Sequence, residues 1–186
     1  MAMPRVRHAF TVDEYHRMGE AGVFHEDDRV ELLDGQIVEM TPIGHDHAGC
    51  VNALNGLLAQ LAAGRAVVSV QNPIILGQHS EPQPDLALLA PRADAYRRAH
   101  PQPDEVLLVI EVADTSLVYD RDEKLPLYAK AGIPEAWLVD LPGRAVHTCR
   151  DPGSDGYRIT RTARAGETLT LMRLGGVTLR VGDILG

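Results

Sequence analysis

Val106-Leu-Leu-Val-Ile110 is an unbroken apolar run that ends directly on Glu111. A strand with no polar alternation is one covered on both faces, and a sheet with two covered faces belongs to a layered α/β domain. A carboxylate joined to such a strand is costly to bury unless it is paired or bound to a cation. The run therefore predicts both a central strand and a place on its edge where charge is concentrated.

The flanking pattern agrees. Thr11-Val-Asp-Glu14 is a capping box that predicts a short helix from Val12 to Met18. Arg29–Leu33 and Gln36–Met40 flank Asp34-Gly35, which predicts a β-hairpin. Val51, Leu54, Leu57, Leu58 and Leu61 recur at helical spacing over residues 46–63, with Asp46 as a candidate cap and Gly64 closing the helix. Strands are expected at Ala66–Val70, Ile74–Leu76, Leu86–Leu89 and Ala136–Val139. Residues 91–104, with Pro91, Pro101 and Pro103, read as an exposed connection carrying a turn of helix near Ala95. A helix is expected over 120–131, stopped by Gly132 and Pro134. Antiparallel strands follow at Ala145–Cys149, Tyr157–Thr162 and Thr168–Leu171. The expected whole is one domain over residues 1–186, a mixed central sheet flanked by helices, with an N-terminal hairpin and C-terminal antiparallel strands.

Composition narrows the class. At 45% hydrophobic and 24% charged, the 186 residues suit a globular protein, and no apolar stretch is long enough for a membrane helix. The first ten residues lack the apolar core of a signal peptide. Cys50 and Cys149 are too few for a disulfide framework, so a cytoplasmic location is expected. The net charge of −8 argues against a protein that coats nucleic acid non-specifically. The seven arginines of residues 141–180 form a basic segment that either touches phosphates or is a solvated strand face.

Asp85 opens one strand and Glu111 ends another, so the two carboxylates converge if those strands are neighbours. Hard divalent cations such as Mg²⁺ bind through one or two carboxylates, with water and substrate phosphate completing the shell. His45-Asp-His47 precedes a helix and has no third nitrogen or sulfur ligand, so zinc is not expected there. Lys124 stands four residues after Asp120, the spacing of an ordinary helical ion pair. Tyr128 is expected to pack in the core, and Trp137 in the core or at a dimer contact.

Pro84-Asp85, a spacer and then Glu111 resemble the motif of the PD-(D/E)XK nuclease superfamily. Within it the chain is similar to the Uma-two family of restriction-type endonucleases. The similar stretches are Arg29–Gly35, Pro84–Leu89, Leu108–Val112, Tyr119–Lys124, Tyr128–Trp137 and Leu174-Gly-Gly-Val-Thr-Leu179. The resemblance runs from about Phe10 to Leu185. It implies a restriction-endonuclease-like fold and metal-dependent hydrolysis of DNA phosphodiester bonds. It also implies Mg²⁺ or Mn²⁺ held by Asp85, Glu111 and the Val112 carbonyl. The chain departs from the superfamily motif at Ala113, where a lysine stands elsewhere, and the resemblance supplies Lys124 from the next helix instead. Glu31 matches an upstream acidic position, as a further ligand or water-holding base, and His47 matches a histidine at the edge of the site. A homodimer is expected, because small domains of this kind engage a duplex in pairs. Two other readings remain open. The missing motif lysine and the negative charge favour a non-catalytic binding or assembly module, and the weak basic footprint favours a hydrolase of a small phosphorylated substrate.

Overall fold

A computed structural model describes residues 7–25 and 27–186. The expectation of no signal peptide rests on the first ten residues, of which 1–6 lie outside the described ones. No helix among the described residues is long and apolar enough to cross a membrane.

The first element, α1 (Val12–Glu20), starts at Thr11. The Thr11 hydroxyl accepts from the Glu14 N–H and the Glu14 carboxylate accepts from the Thr11 N–H, forming the expected capping box. Next comes the hairpin of β1 (Val30–Leu33) and β2 (Gln36–Glu39), turning at Asp34 (φ +46°) and Gly35 (φ +76°). Positive φ at both positions is what a two-residue turn matched to strand twist requires. The Gly35 N–H donates to the His79 carbonyl at 2.7 Å, and the Gly35 carbonyl accepts from the Phe10 N–H. A Cβ at Gly35 would meet Ala9 Cβ at 2.7 Å. Gly35→Ala thus combines a strained φ with a backbone clash and is expected to lower stability by about 1–3 kcal/mol, read by urea denaturation.

The six-stranded sheet has the order β3 (Val67–Val70), β4 (Leu86–Leu89), β5 (Val106–Ala113), β6 (Glu135–Asp140), β7 (Ala145–Gly153), β8 (Gly156–Arg164). Only β5 and β6 are parallel; every other neighbouring pair is antiparallel. The connection between the parallel pair is helical, as a crossover demands: α3 (Leu117–Tyr119), a π-helical turn (Asp120–Lys124) and α4 (Leu125–Lys130). On one face, α2 (His45–Leu61) packs Leu54 and Leu58 against Leu108, Ile110 and Val112 of β5. On the other, Leu125, Tyr128 and Ile133 pack against Val109 and Ala113. Side chains alternate along a strand, so both rows of β5 are buried, which accounts for the unbroken apolar run.

The α2 face is completed by a two-stranded sheet, β9 (Thr168–Thr170) with β10 (Thr178–Arg180), and by α5 (Val181–Leu185), which buries Val181 and Ile184. Trp137 is wholly buried in this core.

Several local expectations are corrected. Ile74–Leu76 is not a strand. The segment opposite contains Pro82 and Pro84, which have no N–H to continue a ladder, so only irregular bonds form, from Ile74 N–H to Pro82 O and Leu76 N–H to Ser80 O. The crossover helix starts at Leu117 rather than at 120. Gly44, not Asp46, is the N-cap of α2, and Asp46 sits in its first turn, where its charge suits the helix dipole. Of the basic segment, Arg150 pairs with buried Glu135, Arg158 with Asp151, and Arg161 with Glu167. Arg144 and Arg164 donate to the carbonyls of Gly186 and Gly143. Most of these arginines are committed to their own chain.

Candidate active site

The site begins with strand register. Leu86 faces Ile110 and Ala87 faces Val109 in the antiparallel β4–β5 pair. Continuing that register by one residue sets Asp85 opposite Glu111, and directly opposed residues project on the same face of a sheet. Because β4 begins at Leu86 while β5 runs on to Ala113, the Val112 N–H lies beyond the ladder. The Asp85 carboxylate takes its place, accepting from Val112 N–H at 2.8 Å through Oδ2. Its Oδ1 lies 3.0 Å from Nε2 of His47, on the first turn of α2. Nδ1 of His47 is buried with no partner among the described residues.

Lys124 arrives from the crossover. Ser116, Asp120, Lys124 and Tyr128 are spaced by four, and the π turn carries Asp120 and Lys124 on the inward side of the helical segment. Such turns widen a helix locally and frequently occur at functional positions. Nζ of Lys124 lies 2.9 Å from Glu111 and 3.3 Å from Glu31, and the residue is only 3% exposed. Tyr128 donates its hydroxyl to Glu111, so it is a polar partner of the site as well as a core residue. Asp120 accepts from the Ser116 hydroxyl at 2.6 Å and does not pair with Lys124, so the ordinary helical ion pair is replaced by contacts across the site.

Glu31 is delivered by the hairpin. Leu32 exchanges backbone hydrogen bonds with Glu81, docking β1 beside the chain that leads to Asp85. Glu31, 2% exposed, then accepts from the Gln83 N–H at 3.0 Å and from the Tyr119 hydroxyl at 3.3 Å.

Several carboxylates around one buried ammonium set the electrostatics. Burial pushes Glu111 up to about 8, reinforced by Asp120 and Asp85 and opposed by Lys124. Burial also raises Asp120. Burial works against the charge on Lys124, yet Glu111 and Glu31 outweigh it, and the ammonium holds its proton more tightly than a free lysine. Burial would raise Asp85, but the His47 hydrogen bond and charge, the Val112 N–H and Lys124 together bring it below the usual carboxylate range. His47 binds its proton more tightly because it bonds Asp85, against the effect of burial.

These residues open onto a cavity of about 390 Å³. Among the described residues no three His, Cys, Asp or Glu side chains form a metal cage. What the site offers is a pair of carboxylates with a main-chain carbonyl at Val112, all hard oxygen donors. That set fits a cation which keeps water and substrate oxygens in its shell, as Mg²⁺ does, and does not fit zinc.

The structure thus brings Asp85, Glu111, Val112, Lys124 and Glu31 together, with His47 beside them. Sequence reasoning missed Tyr119, Asp120 and Gln83 as site residues. The four-residue spacing of Ser116, Asp120, Lys124 and Tyr128 was the available signal: a polar stripe on the buried face of a helix.

A mixed sheet with carboxylates opposed at the ends of β4 and β5 and a lysine laid over them is the arrangement of a nuclease-like fold. Residues 12–182 match the Uma2 family, described as "Putative restriction endonuclease", and the chain belongs to that family. The fold is similar to the crystal structure of a "putative nuclease belonging to DUF820" from Anabaena variabilis, with a TM-score of 0.74 at 15% identity, covering 95% of this chain and 97% of that one. No curated protein matches the chain. Family membership supports a nuclease-type function.

Proposed function

We propose that the protein is a Mg²⁺-dependent endodeoxyribonuclease. The observation that carries this reading is Asp85 set opposite Glu111, with Lys124 Nζ 2.9 Å from Glu111. Asp85, Glu111 and the Val112 carbonyl would hold Mg²⁺ or Mn²⁺. When bound, such an ion polarises a phosphodiester and lowers the pKa of an attacking water.

The chain's own groups do the rest. His47 and the Val112 N–H hold the two oxygens of Asp85 in place, so its rotamer is set before any ligand arrives. Lys124 keeps its positive charge inside the pocket, where it offsets the carboxylates and would favour, through its field rather than by direct contact, the charge that develops on the phosphoryl oxygens. Glu31, held by the Gln83 N–H and the Tyr119 hydroxyl, would orient a water. Two such domains would serve the two strands of a duplex, so the working unit is read as a homodimer. Two buried free cysteines accord with a reducing cytoplasm.

The test is nicking of supercoiled plasmid. The expected result is cleavage with Mg²⁺ or Mn²⁺ and none with EDTA. Cleavage that persists in EDTA overturns the metal-dependent reading. Mn²⁺ binding without cleavage of any DNA would favour a non-catalytic binding module.

A further inference from the structure

The pocket is more acidic than its two proposed metal ligands require. Glu31, Glu39, Asp85, Glu111, Asp114 and Asp120 line it, against only Arg29, His47 and Lys124. A phosphodiester brings its own negative charge, so its approach needs a cation with donors to spare. Lys124 is committed to Glu111, Glu31 and the Gln83 carbonyl, and His47 to Asp85. The arginines of residues 141–180 do not line the pocket. Arg29 does, and its guanidinium enters no ion pair and no hydrogen bond among the described residues.

Its position follows from the hairpin. The turn end is fastened to the body by Gly35 N–H to His79 O and by Asp34 N–H to Ser80 Oγ. The open end is closed by Met40 N–H donating to Arg29 O at 2.8 Å, which fixes the Arg29 backbone at the pocket. Residues two apart share a strand face, so Arg29 projects on the side of Glu31. Glu31 is buried deep and Arg29 is partly exposed nearer the opening.

We infer that Arg29 is the phosphate-gripping residue of this site: its guanidinium takes two oxygens of the nucleic-acid backbone at the mouth of the pocket and sets substrate affinity without holding the metal. This inference rests on the nuclease reading above and names how that site recognises its substrate. The planar fork of an arginine matches two phosphate oxygens, whereas a lysine offers a point charge.

The experiment measures binding of labelled DNA by fluorescence anisotropy, with Ca²⁺ and without metal, across a salt series, for wild type, Arg29→Gln and Arg29→Lys. Thermal melts establish that the variants are folded, and calorimetry measures their Mn²⁺ affinity. Arg29→Gln is expected to bind every DNA sequence about tenfold more weakly, with the slope of log affinity against log salt reduced by about one. Arg29→Lys is expected to restore the slope but only part of the affinity, and Mn²⁺ binding is expected to stay intact in both. Unchanged DNA affinity and slope in Arg29→Gln, beside a wild type that binds and cuts, overturns this inference and leaves the nuclease reading standing. Loss of Mn²⁺ binding in Arg29→Gln also overturns it, by making Arg29 part of the metal site. A wild type that binds Mn²⁺ but neither binds nor cuts DNA overturns the nuclease reading and this inference with it.

Discussion

Asp85→Asn is expected to cut DNA on the order of 10³-fold more slowly than the wild type while folding normally. A bound divalent ion contributes several kcal/mol to stabilising the transition state, and each decade of rate corresponds to about 1.4 kcal/mol. Removing the charge of Asp85 removes one of only two carboxylates proposed to hold that ion. The amide is nearly isosteric. Its oxygen still accepts from the Val112 N–H, and its NH₂ donates to His47 Nε2 once the imidazole changes tautomer. Stability should therefore fall by no more than about 1–2 kcal/mol, the scale of a weakened hydrogen bond. Plasmid cleavage, Mn²⁺ calorimetry and urea denaturation on the same sample separate loss of ligand from loss of fold. If the variant cuts at the wild-type rate and still binds Mn²⁺ as tightly, Asp85 is not a ligand and the proposed chemistry has no centre.

That Asp85 and Glu111 were legible in the sequence is a matter of range. They flank consecutive strands of the sheet, and an apolar run ending on a carboxylate is a local signal of where charge gathers. The Asp34-Gly35 turn and the Thr11–Glu14 capping box were legible for the same reason, since each is settled by neighbouring residues. The C-terminal elements were less so. β10 and α5 are short, and their stability comes from packing Leu179, Val181 and Ile184 against the α2 side of the core. The same region is tied down by buried Glu135, which accepts from Arg150, Trp137 Nε1 and the Met172 N–H. No local pattern announces a bond between residues 37 positions apart.

The helical part of the site was legible only in outline. By spacing alone Asp120 and Lys124 read as an ordinary helical ion pair, and it was the family resemblance that assigned Lys124 to the site. Only the placement of the crossover over β5 turns both inward and hands Lys124 to Glu111 instead. Tyr128 read as core for a sound reason, since it is fully buried, but burial does not reveal that its hydroxyl finds a carboxylate. Arg29 gave no local sign at all. Its significance depends on every other cation of the pocket being already paired.

Lys124→Met is the second large effect, and it is expected to show first in stability. The side chain is almost completely buried between Glu31 and Glu111. A methionine of similar length preserves the packing and removes the one ammonium that contacts them among the described residues, leaving buried Glu31, and Glu111 once it ionises, without a cation. Breaking a buried pair in this way costs about 3–5 kcal/mol. The cost depends on pH, and its sign follows from Glu111. In the wild type its pKa is raised to about 8, so between the unfolded carboxylate range and that value the folded state holds more protons than the unfolded one. Stability then falls as pH rises through this window. Without Lys124 the opposing charge is gone and Glu111 is raised further, so the variant goes on losing stability at pH values where the wild type has levelled off. At pH 6, where Glu111 is protonated in both proteins, the deficit is smaller. Urea denaturation at pH 6 and pH 8.5 is therefore expected to show a gap between variant and wild type that widens with pH. A gap that is the same at both, or a variant as stable as the wild type, would mean that Lys124 does not neutralise this cluster. Its assignment as the charge that replaces the missing lysine at Ala113 would then have to be given up.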